Sequence, residues 1–242
     1  MSTFASVGPD MSLWGTILEK AFAKLVGNYL HTSAGLMAYG VRRIIGGPYE
    51  YFDHPESNAE ELWKELTAHE GSADVISAGT SGGNDTETNE FGLVLGHAFS
   101  ILGTKVLSTG TRLVKIRNPW GAETYKGDWS DTSDKWTPEL EEEVGLVKTN
   151  NDGIFYMSVE DYAKQFSVTQ INYNPKGMHQ ASFVRLGDDK TKADECAYFQ
   201  GEKCGRHTLE LTSDVDQTVW ITAYTWDDRT LPKDCQTMEG PH

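Results

Sequence analysis

Two polar residues, His97 and Asn118, lie on either side of a turn that separates two apolar runs, His97 within the first run and Asn118 just after the second. The runs cover residues 93–102 and 113–116, and a Ser-Thr-Gly turn lies between them at 108–110, a pattern that predicts a β-hairpin. Residues at equal distances from a hairpin turn face each other, with Cβ atoms about 4.5–5.5 Å apart. Because the midpoint of the two polar residues falls in this turn, the spacing predicts that imidazole and carboxamide meet at one end of the hairpin.

An imidazole beside a carboxamide is an arrangement that suits the chemistry of a cysteine nucleophile. A thiol attacks as the thiolate, and a neighbouring imidazolium lowers its pKa. A side-chain amide that accepts from the ring N–H holds the imidazole in one tautomer and orientation. Pro119 ends the second strand, and Trp120 follows as an apolar cover that would exclude water from the hydrogen bond. The structural alternative is a half-buried hairpin with a satisfied core histidine.

Four separated motifs accompany the pair. They are Gly-His-Ala-Phe-Ser-Ile at 96–101, Ile-Arg-Asn-Pro-Trp-Gly at 116–121, Gly-Asp-Trp-Ser-Asp-Thr-Ser-Asp-Lys-Trp at 127–136 and Asp-Gly-Ile-Phe-Tyr-Met-Ser-Val-Glu-Asp-Tyr at 152–162. In this order they resemble the catalytic His and Asn segments and the following loops of calpains, which are papain-like cysteine endopeptidases. The resemblance runs from about residue 12 to residue 174 and continues more weakly to the C-terminus.

The resemblance implies a role for each residue near the pair. His97 would act as general base and then as general acid, Asn118 would orient its ring, and Trp120 would shield both from water. Gly96 would leave room for an extended substrate backbone to approach. The implied substrate is an unstructured polypeptide segment, because a cleft between two subdomains holds an extended chain.

The cysteine that calpains use as nucleophile lies N-terminal to the histidine, and no cysteine precedes His97 in this sequence. Cys196, Cys204 and Cys235 all follow it, so none of them has the right place in the chain order. We therefore predict that the chain alone is inactive, and that it is the His/Asn half of a cysteine endopeptidase. Such a half would be cut from a longer gene or completed by a separate Cys-bearing chain. The alternative is a non-catalytic calpain-like module that binds a protein partner through the exposed cleft face.

Calpains also bind a calcium ion between two acidic loops, and the resemblance implies that Asp131 and Asp152 would be its ligands here. Thr124 occupies a position where calpains commonly have a glutamate, with Glu123 displaced by one residue, and Ile154 replaces a second acid. Calcium affinity follows the number of charged ligands. We therefore expect a calcium site that is weakened at these two positions.

Capping motifs predict where three helices begin. Ser57 and Glu60 have the spacing of a capping box, Thr137 precedes a proline at the first helical position, and Ser158 can cap a helix that follows a buried strand.

The order of helices and strands predicts an α+β fold. We expect an antiparallel-sheet subdomain of a papain-like cysteine protease over residues 1–175 and a partial β-sandwich over residues 180–242. The sandwich is expected to be partial because about sixty residues is short of the ~100 that related folds use.

Composition limits the classes of partner and compartment. The 242 residues carry a formal net charge of −15, which argues against a nucleic-acid or anionic-membrane partner. No apolar run approaches the ~18 residues that a membrane span needs. Three cysteines without a visible secretory signal predict reduced thiols in an intracellular protein, most simply a cytoplasmic one.

Overall fold

The structure is a computed structural model. The structure describes residues 5, 7, 10–54, 58–148, 152–178, 212, 214–216 and 218–221. The chain divides into two compact units, one of Met1–Gly35 with Gln180–His242 and one of Leu36–His179.

The second unit contains a six-stranded antiparallel sheet. Its strands are β1 (Tyr49–Asp53), β2 (Val75–Gly79), β3 (Ala98–Val106), β4 (Arg112–Arg117), β5 (Ile154–Ser158) and β6 (Val168–Asn172), in the spatial order β1-β6-β2-β3-β4-β5. Every neighbouring pair is antiparallel. The strands β3 and β4 form the predicted hairpin, which is therefore confirmed.

Among the described residues, four α-helices accompany this sheet. They are α2 (Met37–Ile45), α3 (Ala59–Ala68), α4 (Pro138–Val144) and α5 (Val159–Gln165). Thr137 caps α4 and Ser158 caps α5, as the sequence predicts. The capping box of α3 begins one residue later than predicted. Asn58 and Glu61 form it, because Asn is as good an N-cap residue as Ser and the box needs the same spacing of three.

Apolar side chains cover both faces of the sheet near the hairpin. On one face the buried side chains of α3 and α5 pack with Phe99, Val114 and Ile116. On the other face Leu113 packs with Trp129, Trp136 and other residues of the 129–156 region. Successive strand residues point to opposite faces, so β4 contributes to both clusters. The predicted α+β, antiparallel-sheet fold is confirmed for the described part of the chain.

In the first unit, α1 covers Trp14–Leu25 and a short 3₁₀ helix covers Leu30–Thr32. Leu13 precedes α1 without a side-chain cap, although Asp10 accepts a hydrogen bond from the Ser12 amide nearby. The predicted β-sandwich of residues 180–242 lies almost wholly outside the described residues. That prediction and the division at residue 175 stay predictions.

Candidate active site

His97 lies immediately before β3, where the end of β2 holds its backbone. The His97 amide donates to Thr80 Oγ1 at 3.1 Å, and the His97 carbonyl accepts from the Thr80 amide at 3.0 Å. The Thr80 hydroxyl donates to the Val94 carbonyl at 2.7 Å, and its side chain is buried. Thr80 is therefore a positioning residue that the sequence analysis missed, because it is distant in sequence and belongs to no recognisable motif.

The imidazole of His97 reaches the carboxamide of Asn118. His97 Nε2 lies 3.0 Å from Asn118 Oδ1, and an amide oxygen only accepts, so Nε2 carries the proton in this contact. Asn118 is 1% exposed, and its Oδ1 also accepts from the Trp120 amide at 3.1 Å. Its Nδ2 is buried without a hydrogen-bond partner among the described residues. Two donors, the His97 ring and the Trp120 amide, thus fix the position of Asn118 Oδ1.

His97 and Asn118 are not directly opposite each other in the hairpin. Ser100 pairs with Arg117 and Ile101 with Ile116, so continuation of the register puts Asn118 opposite Phe99. His97 and Asn118 are therefore diagonal neighbours on one face, a separation of about 7–8 Å between backbones that long side chains can bridge. The predicted meeting of the two side chains agrees with the structure, whereas their predicted direct pairing is wrong by two residues.

Trp120 lies beside the pair as a partial cover. Its ring centroid is 4.4 Å from that of His97 with the planes tilted by 48°, while 53% of the residue remains exposed. Phe99 also contacts the imidazole, edge-on, with centroids 5.0 Å apart. The ring of His97 therefore packs against two aromatic side chains, and its Nδ1 has no hydrogen-bond partner among the described residues.

Gly96 has a local reason to be glycine. Its φ is +53°, a conformation that L side chains rarely adopt, and an added Cβ would lie 3.2 Å from the Gly83 carbonyl oxygen. The close neighbours of that Cβ belong to the glycine-rich loop at residues 82–84. The approach of a substrate backbone to Gly96 stays a prediction.

The acidic residues proposed for calcium lie near one another, together with Glu123. The Asp131 amide donates to Glu123 Oε1 at 3.1 Å, and Asp131 Oδ1 is buried without a hydrogen-bond partner among the described residues. Burial, together with the charges of Asp131 and Asp152, raises the pKa of Glu123 to about 7. Burial also raises the pKa of Asp131. Asp152 Oδ1 accepts from the Ile154 amide at 2.9 Å.

The displaced Glu123 thus contacts Asp131, one of the two predicted calcium ligands. Within the described ranges, however, no three His, Cys, Asp or Glu side chains converge closely enough to hold a metal ion. The loop at residues 125–134 also lines an open surface cavity of about 620 Å³, whose lining includes neither His97 nor Asn118. The three cysteines lie outside the described residues.

A family model described as calpain family cysteine protease matches residues 2–173, more than half of the chain. The chain belongs to the calpain family. The matched region contains the hairpin, His97, Asn118 and the acidic loops, all of which lie between residues 96 and 162. The predicted family is therefore confirmed.

Individual calpains show the same relationship at moderate identity. The chain is 35% identical over 170 residues to calpain-type cysteine protease ADL1 of Oryza sativa subsp. japonica, covering 67% of this chain and 8% of that protein. It is 36% identical over 159 residues to human calpain-14, covering 63% and 22%. It is 36% identical over 173 residues to the calpain-1 catalytic subunit of Mus musculus, covering 68% and 24%. The matches span less than a third of each of these relatives.

In the part of this calpain-family chain that the structure describes, no helix is both long and apolar enough to cross a membrane. The expected intracellular location and the expected lack of a nucleic-acid partner stay predictions.

Replacement of Thr80 by valine tests how the backbone of His97 is held. We expect Thr80→Val to cost about 1–3 kcal/mol of unfolding free energy, because the shape is kept while the His97 amide and the Val94 carbonyl lose their hydroxyl partner. Urea denaturation measures the loss. Thr80→Ser keeps the hydroxyl and should lose less than half as much, and equal losses in both variants would contradict a hydrogen-bonding role.

Proposed function

We propose that this chain supplies the general base and its orienting amide to a calpain-type cysteine endopeptidase. The observation that carries the proposal is the hydrogen bond between His97 Nε2 and Asn118 Oδ1 at 3.0 Å, beside the ring of Trp120. A neutral imidazole that donates through Nε2 has its lone pair on Nδ1. The tautomer that Asn118 selects is therefore the one that leaves Nδ1 ready to accept a proton.

The proposed reaction begins with proton transfer from a cysteine thiol to Nδ1 of His97, which forms a thiolate and an imidazolium. The thiolate attacks the carbonyl carbon of an extended polypeptide segment, and the imidazolium then donates its proton to the departing amine nitrogen. Water hydrolyses the resulting thioester with His97 again as the base. Through both steps Asn118 accepts from Nε2 and keeps the ring in one orientation.

The thiolate has to come from a Cys-bearing protease half, since all three cysteines of the given sequence follow His97. The proposed partner is therefore either the preceding part of a longer gene product or a separate chain. The described faces of this chain that would meet such a half include Trp120, which leaves more than half of its surface exposed.

A reconstitution assay tests the proposal. An unfolded, fluorescently labelled protein is incubated with the chain alone, with a Cys-bearing calpain half alone, and with both together. We expect cleavage only in the mixture, and none when the nucleophilic cysteine of the supplied half is replaced by alanine. Cleavage by the chain alone, or no cleavage by a mixture that binds tightly, would overturn the proposal.

A binding module that does no catalysis is the second candidate. The exposed ring of Trp120 favours it, because exposed aromatic residues commonly anchor protein interfaces. In the same assay such a module would bind the supplied half or the unfolded protein without cleaving it. Trp120→Ala would then weaken binding at least tenfold.

We also propose that Asp131 and Asp152 contribute to a weak calcium site. Two observations support it. Asp131 Oδ1 is buried without a hydrogen-bond partner among the described residues, and burial, together with the nearby charges of Asp131 and Asp152, raises the pKa of Glu123. A bound cation would accept the lone pair of the first and offset the cost of charging the second. Calcium affinity follows the number of charged ligands, so a site with only these two carboxylates is expected to have a Kd near the weak end of protein calcium sites, roughly 10⁻⁴–10⁻³ M.

Calorimetric titration with calcium chloride tests the metal proposal. We expect heat of binding at millimolar calcium for the unmodified chain and none for Asp131→Ala. Asp134→Ala is the control, because Asp134 is an acidic residue of the same loop outside the proposed ligand set. Flat traces for the unmodified chain would remove the calcium site.

A further inference from the structure

The hairpin that carries the catalytic pair contains a β-bulge at Leu102. On the turn side, Val106 pairs with Arg112 and Gly103 with Lys115. On the His97 side, Ile101 pairs with Ile116, so Leu102 is one extra residue in β3 without a partner in β4.

This extra residue places the side chains of Asn118 and His97 on the same face of the sheet. Without it, the turn-side register would continue until Asn118 stood opposite Ser100. Side chains alternate between faces along a strand, so Ser100 and His97 point to opposite faces. With the bulge, Asn118 stands opposite Phe99, which points to the same face as His97. The hydrogen bond between imidazole and carboxamide therefore depends on a one-residue insertion well away from both side chains.

A carboxylate outside the hairpin holds the bulge. Glu70, in the turn after α3, accepts from the Thr104 amide at 2.9 Å and from Thr104 Oγ1 at 2.7 Å. Gly103, between Leu102 and Thr104 in the chain, has a φ of +153°. A Cβ added to it would lie 3.1 Å from Glu70 Oε1. The carboxylate thus occupies the space that a side chain at Gly103 would need. Leu102 is 47% exposed, so burial of its own side chain contributes little to the bulge.

We propose that Glu70 is a positioning residue for the catalytic pair, which it controls by fixing the β-bulge at Leu102 and Gly103. The proposal rests on the proposed function for its importance to catalysis. The positioning itself is a property of the chain alone and can be measured without a nucleophile.

The test compares two glutamates that bind the backbone of the same hairpin. Glu70 binds Thr104 at the bulge, whereas Glu143 accepts from the Ser108 amide at 3.0 Å near the turn. Nitrogen NMR of His97 in the chain alone reports the tautomer and the exchange of the Nε2 proton. We expect Glu70→Ala to convert the single Nε2–H tautomer into a mixture and to accelerate proton exchange at least tenfold. Glu143→Ala should leave both signals unchanged at a similar loss of melting temperature.

Two milder variants keep the test decisive if Glu70→Ala does not fold. Glu70→Gln retains an acceptor oxygen and should restore most of the Nε2–H signal. Thr104→Val removes only the hydroxyl bond and should shift the tautomer in the same direction as Glu70→Ala, but less. The proposal is overturned if Glu70→Ala or Thr104→Val lowers the melting temperature while the His97 signals remain those of the unmodified chain.

Proteolysis gives a separate readout. In the reconstituted enzyme we expect Glu70→Ala to lower kcat about 10²-fold with little change in KM, since a displacement of about 1 Å in a catalytic group has that effect. An NMR response in a mixture that does not cleave would support the positioning role and count against the proposed function. If the mixture cleaves but Glu70→Ala leaves the His97 NMR signals unchanged, the proposed function is supported and the positioning role of Glu70 is overturned.

Discussion

His97→Ala is expected to abolish proteolysis by the reconstituted enzyme, with kcat/KM reduced roughly 10⁴–10⁶-fold. Two losses combine. Without the imidazolium, only a few per cent of a cysteine thiol is ionised near pH 7, and no acid remains to protonate the departing amine. The fall should appear mainly in kcat, because the imidazole acts on the reacting atoms and contributes little to holding the substrate.

A matched histidine controls for general damage to the chain. His31 is partly buried and its ring contacts the Val26 carbonyl at 2.8 Å, in the other compact unit. His31→Ala should retain activity within about threefold. Single-turnover cleavage of the labelled unfolded protein measures both variants, with binding of the Cys-bearing half checked separately. Cleavage that survives His97→Ala would mean that another group is the base, and the proposed role of the pair would fall.

Gly153→Ala is expected to destabilise the chain strongly, because it adds a methyl group against the backbone of Asn118. Gly153 is buried with φ +77°, and its carbonyl accepts from the Asn118 amide at 2.8 Å. An added Cβ would lie 2.6 Å from the Asn118 carbonyl oxygen and 3.1 Å from the Ala122 amide nitrogen. Backbone strain and the clash together should cost about 2–5 kcal/mol of unfolding free energy.

Gly145→Ala is the control that measures backbone strain without a steric clash. Gly145 ends α4 with φ +63°, and an added Cβ there would meet nothing within 4 Å. Its replacement should cost only the backbone term of about 1–2 kcal/mol. Urea denaturation compares the two variants, and the His97 Nε2–H signal should be disturbed in Gly153→Ala alone. Equal free-energy losses would show that the close approach to Asn118 is relieved without cost.

In the acidic loop, a carboxylate displaced by one residue keeps its contact with the loop. Thr124 lacks the carboxylate that calpains commonly have at this position. Glu123, one residue earlier, nevertheless contacts Asp131 through its carboxylate. Loop residues do not follow a fixed alternation, so a shift of one position in sequence need not move a side chain away from its partners.

The amino-acid sequence by itself determined the family, the hairpin and the pair that it carries. Alternating apolar runs around a turn are a local signal, and His97, Asn118 and Trp120 lie within a few residues of the strand ends, so short-range rules were sufficient. The caps of α4 and α5 were equally local. The cap of α3 was missed by one residue because Ser57 and Asn58 are both good N-cap residues and each precedes a glutamate at the required spacing.

Only the tertiary structure decided how the pair meets. A bulge adds one residue to β3 without disturbing the apolar pattern, and its support comes from Glu70, 34 residues before Thr104. Thr80, which directly follows β2, likewise holds His97, 17 residues away in sequence. Such contacts depend on which elements lie side by side in the sheet. The residue types at neighbouring positions do not encode that arrangement locally, so the geometry of the imidazole and the carboxamide follows from the packed fold.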